Sequence, residues 1–546
     1  MDTDERHRNS RELRLAELVA AISLAIDLGL GQPMEKFLRT CLLGVHLAKL
    51  LGVGEEDLVA VYYLGLIQHL GCTAYAGEAA AIFGDEIAAN TWLLAADHGN
   101  VGELIGAVLR HVGQGAPATR RAQLIVHALL AMPQEKGEIF AGRCEVAQNL
   151  AERLGLGTRV RDGLGQVYER WDGTGVPYRR RGEAILLPVR IVQVAQDAER
   201  LFRLHGRESS GGKSDRAEVL AQLRERAGGM LDPHVAEQCC QHSDLLIGTA
   251  NTTTLWASVL AAEPGAVRFI GEERLDDALC AVADFVDLKS PYTVGHSRAV
   301  ATLAAAAAQE CGFPESEVIA TRRAGLVHDL GRIGVPNTIW DKPGPLSEAE
   351  WERVRLHPYY TERVLARVSA LGGVCALAAQ HHERLDGSGY HRGSAAPLLP
   401  SAGRILAAAD VFHAMLEPRP HRPAQPAAAA AAELQQQVRA GLLDADAVRA
   451  VLTAAGHRVS ATRRARVAGL SEREIEVLGL IARGQSNRQV ARWLSVSERT
   501  VHHHVEHIYL KIGVSTRAAA ALFAVEHHLL REEAEDESPQ SAHSAR

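Results

Sequence analysis

At 546 residues the chain is long enough for three or four domains, and its 47% apolar content, rich in Ala and Leu and poor in aromatics, favours packed helices over sheets. A formal charge of −7 excludes a protein coated in positive charge and leaves room only for a small domain that binds nucleic acid locally. The eight cysteines follow no short repeated spacing, the opening MDTDERHRNSREL is too polar for a secretory signal, and no run approaches the roughly 18 uncharged apolar residues of a membrane span. Buried free thiols and a soluble, cytoplasmic protein with no membrane partner are the expectation.

In chain order, apolar periodicity predicts helices over 13–29, 34–51 and 55–70. The polar run RESSGGKSD (207–215) breaks the first half, and helices resume over 218–226 and 233–240. A further helix over 276–286 leads into a cluster of histidines. The alanine run after Pro426 predicts a helix start, because Ala has the strongest helix propensity and Pro is tolerated just ahead of it. Residues 455–466 are a polar connection, and 531–546 hold no apolar run and are expected to be disordered.

The two halves repeat. YERWDGTGVP from Tyr168 matches HERLDGSGYH from His382, PVRIVQVAQD from Pro188 echoes SAGRILAAAD from Ser401, and GGMLDP from Gly228 echoes GLLDAD from Gly441. LIQHLG (66–71) sits where LVHDLG (326–331) sits in the second copy. Each half is therefore predicted to be one all-helical domain of the same fold.

Only the second copy carries metal-ligand chemistry. His296, His328, Asp329, His357, His381, His382 and Asp410 fall in one stretch with apolar helical segments between them. Mixed imidazole and carboxylate donors suit borderline divalent cations such as iron, manganese or zinc, and so many of them can hold two ions around a phosphate. Their long spacing requires a fold, not a local loop, to bring them together. In the first copy Lys36 stands opposite His296, Gln68 and His69 opposite His328 and Asp329, and Arg143 near the His357 position. Val167 and Tyr168 replace His381 and His382, and Gln196 replaces Asp410. Lysine, arginine and valine cannot stand in for a neutral imidazole or a carboxylate on a cation. The first copy reads as degenerate, retained for regulation, ligand sensing or dimer contacts, or as a structural shoulder. Ser347 and Glu350 form a capping box that starts a helix ahead of His357.

Residues 276–455 resemble the HD-GYP subgroup of the HD superfamily of metal-dependent phosphohydrolases. The motifs are His296 in VGHS, HDLG at 328–331, His357 in RLHP, HHERLDGSGY from His381, and Asp410 in LAAADVFHAM, followed by RPHRPA from Arg419. The resemblance implies an all-α domain holding two, in some members three, iron or manganese ions, with those seven residues as ligands and Asp329 bridging. It also implies hydrolysis of a phosphodiester, in known members chiefly a cyclic dinucleotide such as cyclic di-GMP. The family's Lys after HD-x-G is Arg332 here, which keeps the positive charge; Asp329 and Arg332 are the expected catalytic residues. The Pro of the GYP signature is His391, a loop variant or an added donor or ligand. Asp386 could orient a ligand histidine, while Gly387 and Gly389 serve the DGSG turn.

Residues 466–530 read as four helices. Ser471 caps the first with Glu474, 487–494 form a short second, and 498–511 form a candidate recognition helix that turns Val501, Val505 and Ile508 inward. Arg499, Thr500, His502, His503, His504, His507 and Lys511 are its candidate DNA contacts. EREIEVL, ARGQSNRQVA, SERTV and KIGVSTRAAAALF resemble the LuxR-type helix-turn-helix, which implies binding of double-stranded DNA as a homodimer, often through the fourth helix, here 515–530. The family's usual Lys after TV is His502, which removes a fixed charge and makes binding more sensitive to pH.

The whole is read as all-α: a degenerate HD-like domain (13–245), an HD-GYP-like phosphohydrolase domain (276–455), a LuxR-type DNA-binding domain (466–530) and a disordered tail (531–546). The function expected is a DNA-binding transcriptional regulator that hydrolyses a phosphodiester. The alternative is a transcription factor whose metal domain is a non-catalytic sensor or a dimerisation module.

Overall fold

The structure, a computed structural model, describes residues 12–97, 100–115, 117–131, 136–208, 213–244, 248, 254–456, 467–527 and 529–530. The expected tail at 531–546 and most of the 455–466 connection lie outside these residues.

Helices carry nearly all of the regular structure of the described residues, as the Ala- and Leu-rich composition predicts. The first copy opens with α1 (Leu15–Gly29), α2 (Lys36–Leu50) and α3 (Glu55–Ile67), which passes into a 3-10 turn at Leu70–Tyr75. Then come α4 (Ala76–Phe83), α5 (Glu86–Leu93), α6 (Val101–His111) and α7 (Ala118–Ala131), where the second copy has only two short helices, Asn337–Trp340 and Glu348–Arg355. The copy ends with α8 (Lys136–Arg153), α9 (Thr158–Leu164), α10 (Leu187–Glu208), α11 (Lys213–Arg226) and α12 (Pro233–Gln241). After α13 (Leu255–Ala261), the second copy comprises α14 (Glu272–Asp287), α15 (His296–Glu310), α16 (Glu315–Val327), α17 (Glu348–Arg355), α18 (His357–Leu365) and α19 (Gly372–Ala378). It closes with α20 (Ser401–Leu416), α21 (Ala427–Arg439) and α22 (Ala445–Gly456). The C-terminal unit is α23 (Glu472–Ala482), α24 (Asn487–Trp493), α25 (Glu498–Ile512) and α26 (Arg517–Glu526).

Two expectations change. Leu13–Arg14, expected to begin the first helix, forms a strand, β1, antiparallel to β2 (Phe269–Ile270), because pairing with the second copy outweighs local helix propensity. All eight cysteines are free, but Cys311, at the C-terminus of α15, is exposed. The stretch Glu55–Phe83 has the length and hydropathy of a membrane span, yet 78% of its window is buried inside the protein, so it serves as core.

The repeat is visible in bond-level detail. A Cβ on Gly71 would collide with the Arg143 carbonyl, and one on Gly331 with the His357 carbonyl, so Arg143 does occupy the His357 position. Glu169 accepts from the amides of Tyr178 and Arg180 as Glu383 does from those of Arg392 and Ser394. Arg190 pairs with Asp232 as Arg404 pairs with Asp444. The copies also exchange contacts: α1 packs on the 3-10 turn Leu330–Gly334 of the second copy, and α14 packs on the Leu70–Tyr75 turn of the first. This explains why α1 is buried on nearly every side.

The C-terminal unit docks on this pair. Its α26 packs along α8, Ser515 and Thr516 donate to Glu145, and Arg153 bonds Glu526 at 3.0 Å and Asp284 at 2.6 Å. Arg298 grips the same buried Asp284 at 2.6 Å, so four charges join all three units. The lack of space at Gly331 is directly testable. Gly331→Ala should cost about 1–3 kcal/mol in urea denaturation by forcing α18 away from the end of α16. Gly344→Ala, whose Cβ would meet nothing within 4 Å, should leave the midpoint unchanged.

Candidate metal centre

All but one of the candidate donors sit at the ends of elements. His328 caps the C-terminus of α16, Asp329 precedes the Leu330–Gly334 turn, His357 and His296 open α18 and α15, and His381-His382 follow α19. Asp410 lies inside α20, which places the set against a rigid wall. All are buried except His382, whose side chain is 22% exposed and marks the open side.

The seven side chains converge as two groups around one carboxylate. Oδ2 of Asp329 lies 3.8 Å from His296 Nε2 and 3.5 Å from His328 Nε2, and these imidazoles also face Asp410 Oδ1 at 3.2 and 3.8 Å. Oδ1 of Asp329 lies 3.5 Å from Nε2 of both His357 and His381, with His382 completing that side. His382 Nδ1 stands 3.6 Å from Asp410 Oδ2.

These residues fit divalent cations. His328, His357 and His381 each donate Nδ1–H to the carbonyl three residues back, at 2.8, 2.6 and 2.6 Å, which turns the bare Nε2 inward. His328 Nε2 is buried with no hydrogen-bond partner. The Nε2 atoms of His357 and His381 face each other at 3.1 Å, a contact of two lone pairs that a cation between them would resolve. Burial lowers His328 to about 4 and His357 to about 3, so both are neutral and ready to ligate at pH 7. Burial opposes charge on Asp329, but His328 and Arg332 hold it well below the usual carboxylate range. Arg332 donates to Asp329 Oδ2 at 2.9 Å and lies 4.0 Å over the Trp340 ring, which holds its guanidinium beside the shared carboxylate.

Sequence reasoning missed Glu417. Its Oε2 accepts from His296 Nδ1 at 3.0 Å and from Arg419 at 2.7 Å, while Oε1 faces His413. Burial works against a charged His296, yet Glu417 and Asp410 outweigh it and raise the ring to about 10. Its spacing was a usable signal: Asp410, His413 and Glu417 are at i, i+3 and i+7, along one side of α20 and its end.

Other candidates lie elsewhere. Asp386 accepts from the amide and hydroxyl of Ser388 and closes its own exposed turn, so it orients no ligand. Gly387 has a left-handed φ of 80° in that turn, and Gly389 packs against the backbone of Glu383. His391 faces Glu362 at 3.1 Å, away from the ligand cluster.

The first copy keeps the frame and fills it. His69 Nε2 bonds Gln196 at 3.0 Å, Cys72 Sγ meets the Tyr168 hydroxyl at 3.0 Å, and Arg143 lies over Phe140 and Tyr75. Among the described residues no group of metal donors forms there.

In the C-terminal unit, Arg499, Thr500, His502, His503 and His507 are exposed and His504 is half-buried. Lys511 instead spends its ammonium inside the unit, on Glu474 at 2.7 Å and the Gly469 carbonyl. Capping boxes at Ser471 and Ser486 start α23 and α24, and Gly513 ends α25 in a left-handed turn.

The HD domain family model matches residues 125–235 and 281–447, one stretch in each copy. The chain belongs to the HD-domain family. The model for bacterial regulatory proteins of the luxR family matches 468–524, so this HD protein carries a DNA-binding module behind its metal-binding domain. It is 30% identical over 432 residues to 3′3′-cGAMP-specific phosphodiesterase 3 of Vibrio cholerae, covering 78% of this chain and 92% of the relative. It is 36% identical over 168 residues to a cyclic di-GMP phosphodiesterase of Thermotoga maritima, covering 29% of this chain and 45% of that protein. The crystal structure of a cyclic GMP-AMP specific phosphodiesterase of V. cholerae superposes with a TM-score of 0.55 at 27% identity, covering 82% of this chain and 98% of that one.

Two outcomes follow. Glu417→Ala should weaken Mn²⁺ binding about 10–100-fold in calorimetric titration, with Glu417→Gln closer to wild type because an acceptor for Nδ1–H remains. The pH dependence of the metal-free chain has a definite sign. His69, His328 and His357 are lowered to about 3, 4 and 3 from 6.5, so their contribution is complete above pH 6.5 and lost as pH falls toward 3. The urea midpoint should fall through that window, and His69→Gln should flatten the slope.

Proposed function

We propose that this chain is a cytoplasmic, homodimeric regulator that opens a cyclic dinucleotide of the 3′3′-cGAMP type at its second HD copy and binds double-stranded DNA through its C-terminal unit. The observation that supports it best is the complete set of six donors around Asp329, in a chain aligned with 92% of a 3′3′-cGAMP-specific relative. The proposed units are 13–245, 276–455 and 466–530. The proposed ligands are His296, His328, Asp329 and Asp410 on one side, and His357, His381, His382 and the other oxygen of Asp329 on the other.

Two iron or manganese ions held by these residues would supply Lewis acidity and lower the pKa of a bound water. The chain's own residues do the rest. Asp329 turns one oxygen to the His296 and His328 side and the other to the His357 and His381 side, and would hold an ion on each. Arg332, steadied by Trp340, is placed to meet a non-bridging phosphoryl oxygen as charge develops on it. Tyr390, whose ring lies 4.8 Å from that of His382, borders the open side where a nucleobase would enter. Arg499, Thr500 and the exposed histidines of α25 are the proposed DNA contacts, with Lys511 bracing the helix.

The test is turnover by the full Mn²⁺- or Fe²⁺-loaded chain on 3′3′-cGAMP, cyclic di-GMP and simple nucleotides, read by chromatography. Cleavage of 3′3′-cGAMP, falling to background in His328→Ala/Asp329→Ala, is the expected result. Bound metal with no turnover on any of these compounds would favour the sensor alternative.

A further inference from the structure

His296 is held differently from the ligands whose rings lean on backbone. His328, His357 and His381 each rest on a carbonyl three residues back. His296 opens α15, and its Nδ1–H goes to the side chain of Glu417. The position of its ring therefore depends on the segment Pro291–Gly295 and on whatever grips that segment.

It is gripped from both sides. From within, Arg419 binds Glu417 at 2.7 Å and donates to the Tyr292 carbonyl at 3.2 Å, so one Arg–Glu pair holds both the imidazole and the backbone that carries it. The hydroxyl of Thr293 donates to the carbonyls of Asp287 and Ser290, and Ser297 bonds Asp287 through its amide and hydroxyl, which stiffens the segment into one unit. From outside, the DNA-binding unit sits on it. A Cβ on Gly484, between α23 and α24, would lie 2.5 Å from Pro291 Cβ. A Cβ on Gly295 would lie 3.1 Å from Leu530 and 3.8 Å from Val525. Both glycines have positive φ, 78° and 85°, and the missing side chains allow the close approach.

We propose that the Pro291–His296 segment makes Glu417 and Arg419 positioning residues for two events at once, linking cation binding at His296 to the seating of the DNA-binding unit. The proposal rests on the metal-centre reading above. A cation on Nε2 immobilises the ring, hence Glu417, Arg419 and the Tyr292 carbonyl, and presents Pro291 and Gly295 in the arrangement that Gly484, Val525 and Leu530 fit. By reciprocity, a seated unit favours cation binding by the same factor. The unit's other anchors, Glu145 and Arg153, lie on the first copy, so cutting the contact at Leu530 leaves it tethered.

The experiment uses the full chain with Mn²⁺ as the probe. Calorimetry gives its affinity, and hydrogen–deuterium exchange reports protection of α26 with and without the ion. In the wild type, Mn²⁺ should slow exchange in α26 about fivefold or more. Leu530→Ala, from outside, and Arg419→Gln, from inside, should each reduce that factor toward one, and Leu530→Ala should weaken Mn²⁺ affinity by the factor lost. Mn²⁺ binding with unchanged exchange in α26, or full Mn²⁺-dependent protection in both variants, would overturn the link while leaving the metal centre intact. No Mn²⁺ binding by the wild type would overturn the metal-centre reading and the link with it.

Discussion

One shared carboxylate governs the second copy. Four buried imidazoles and two buried carboxylates packed within a few ångströms would be a liability in any core, because each charge or lone pair loses its water. Asp329 makes the set coherent by giving one oxygen to His296 and His328 and the other to His357 and His381. The surrounding fold serves that arrangement. Helix ends supply the carbonyls that fix three imidazoles, Arg332 balances the carboxylate, and Gly331 lets α18 approach closely enough for His357 to arrive. Cations at this point would repay the desolvation that the protein alone cannot, which ties folding of the site to metal binding.

The first copy shows what the same frame does without that carboxylate. His69 takes the place of Asp329 and bonds Gln196 where Asp410 would stand. Phe37, Phe140 and Tyr168 close the space with ring contacts, and Lys36 is buried near Asp27 and Glu199, with burial lowering it to about 8. Even the outer pair is exchanged: Glu199 and Arg203 stand at the His413 and Glu417 positions. The Arg203–Glu199 pairing is kept, but no carboxylate remains at the position from which Glu417 supports His296. The frame survives because it is held by backbone contacts at Gly71 and Gly331 and by Arg–Asp pairs, none of which uses a donor side chain.

The cluster of His and Asp donors, the repeat and the DNA-binding helices were legible in the sequence because each depends on residue type at a fixed spacing. His328-Asp329, His381-His382 and Asp410 stand out as chemistry wherever the helices lead, and Ser471 with Glu474 announces a helix start by local bonding alone. What was not legible depends on partners far away in sequence. Leu13 turns from helix to strand because Ile270 is beside it, and Asp386 turns from ligand support to turn closure because Ser388 is nearer. Lys511 looked free for phosphate on a helical wheel, but its ammonium meets Glu474, 37 residues away. Glu417 was hidden for the same reason: its role is defined by His296, 121 residues earlier.

A four-helix unit of this size buries too little apolar surface to be strongly stable by itself. In this chain its core is continuous with that of the HD copies: Leu478, Ile508, Ala520 and Leu522 belong to the same contiguous cluster as Ala301, Leu326 and Leu406. The fused unit therefore draws part of its stability from its seat on α8 and on the Pro291–Gly295 segment. Dissociation from that seat would expose the apolar side of α26 and leave Arg153 with Asp284 but without Glu526. Both costs fall on one equilibrium, and a modest change at the seat is enough to move it, since about 1.4 kcal/mol shifts a two-state population tenfold. A catalytic domain next to a DNA-binding unit need not undergo a large rearrangement to influence it. It needs only to alter a surface on which that unit already depends.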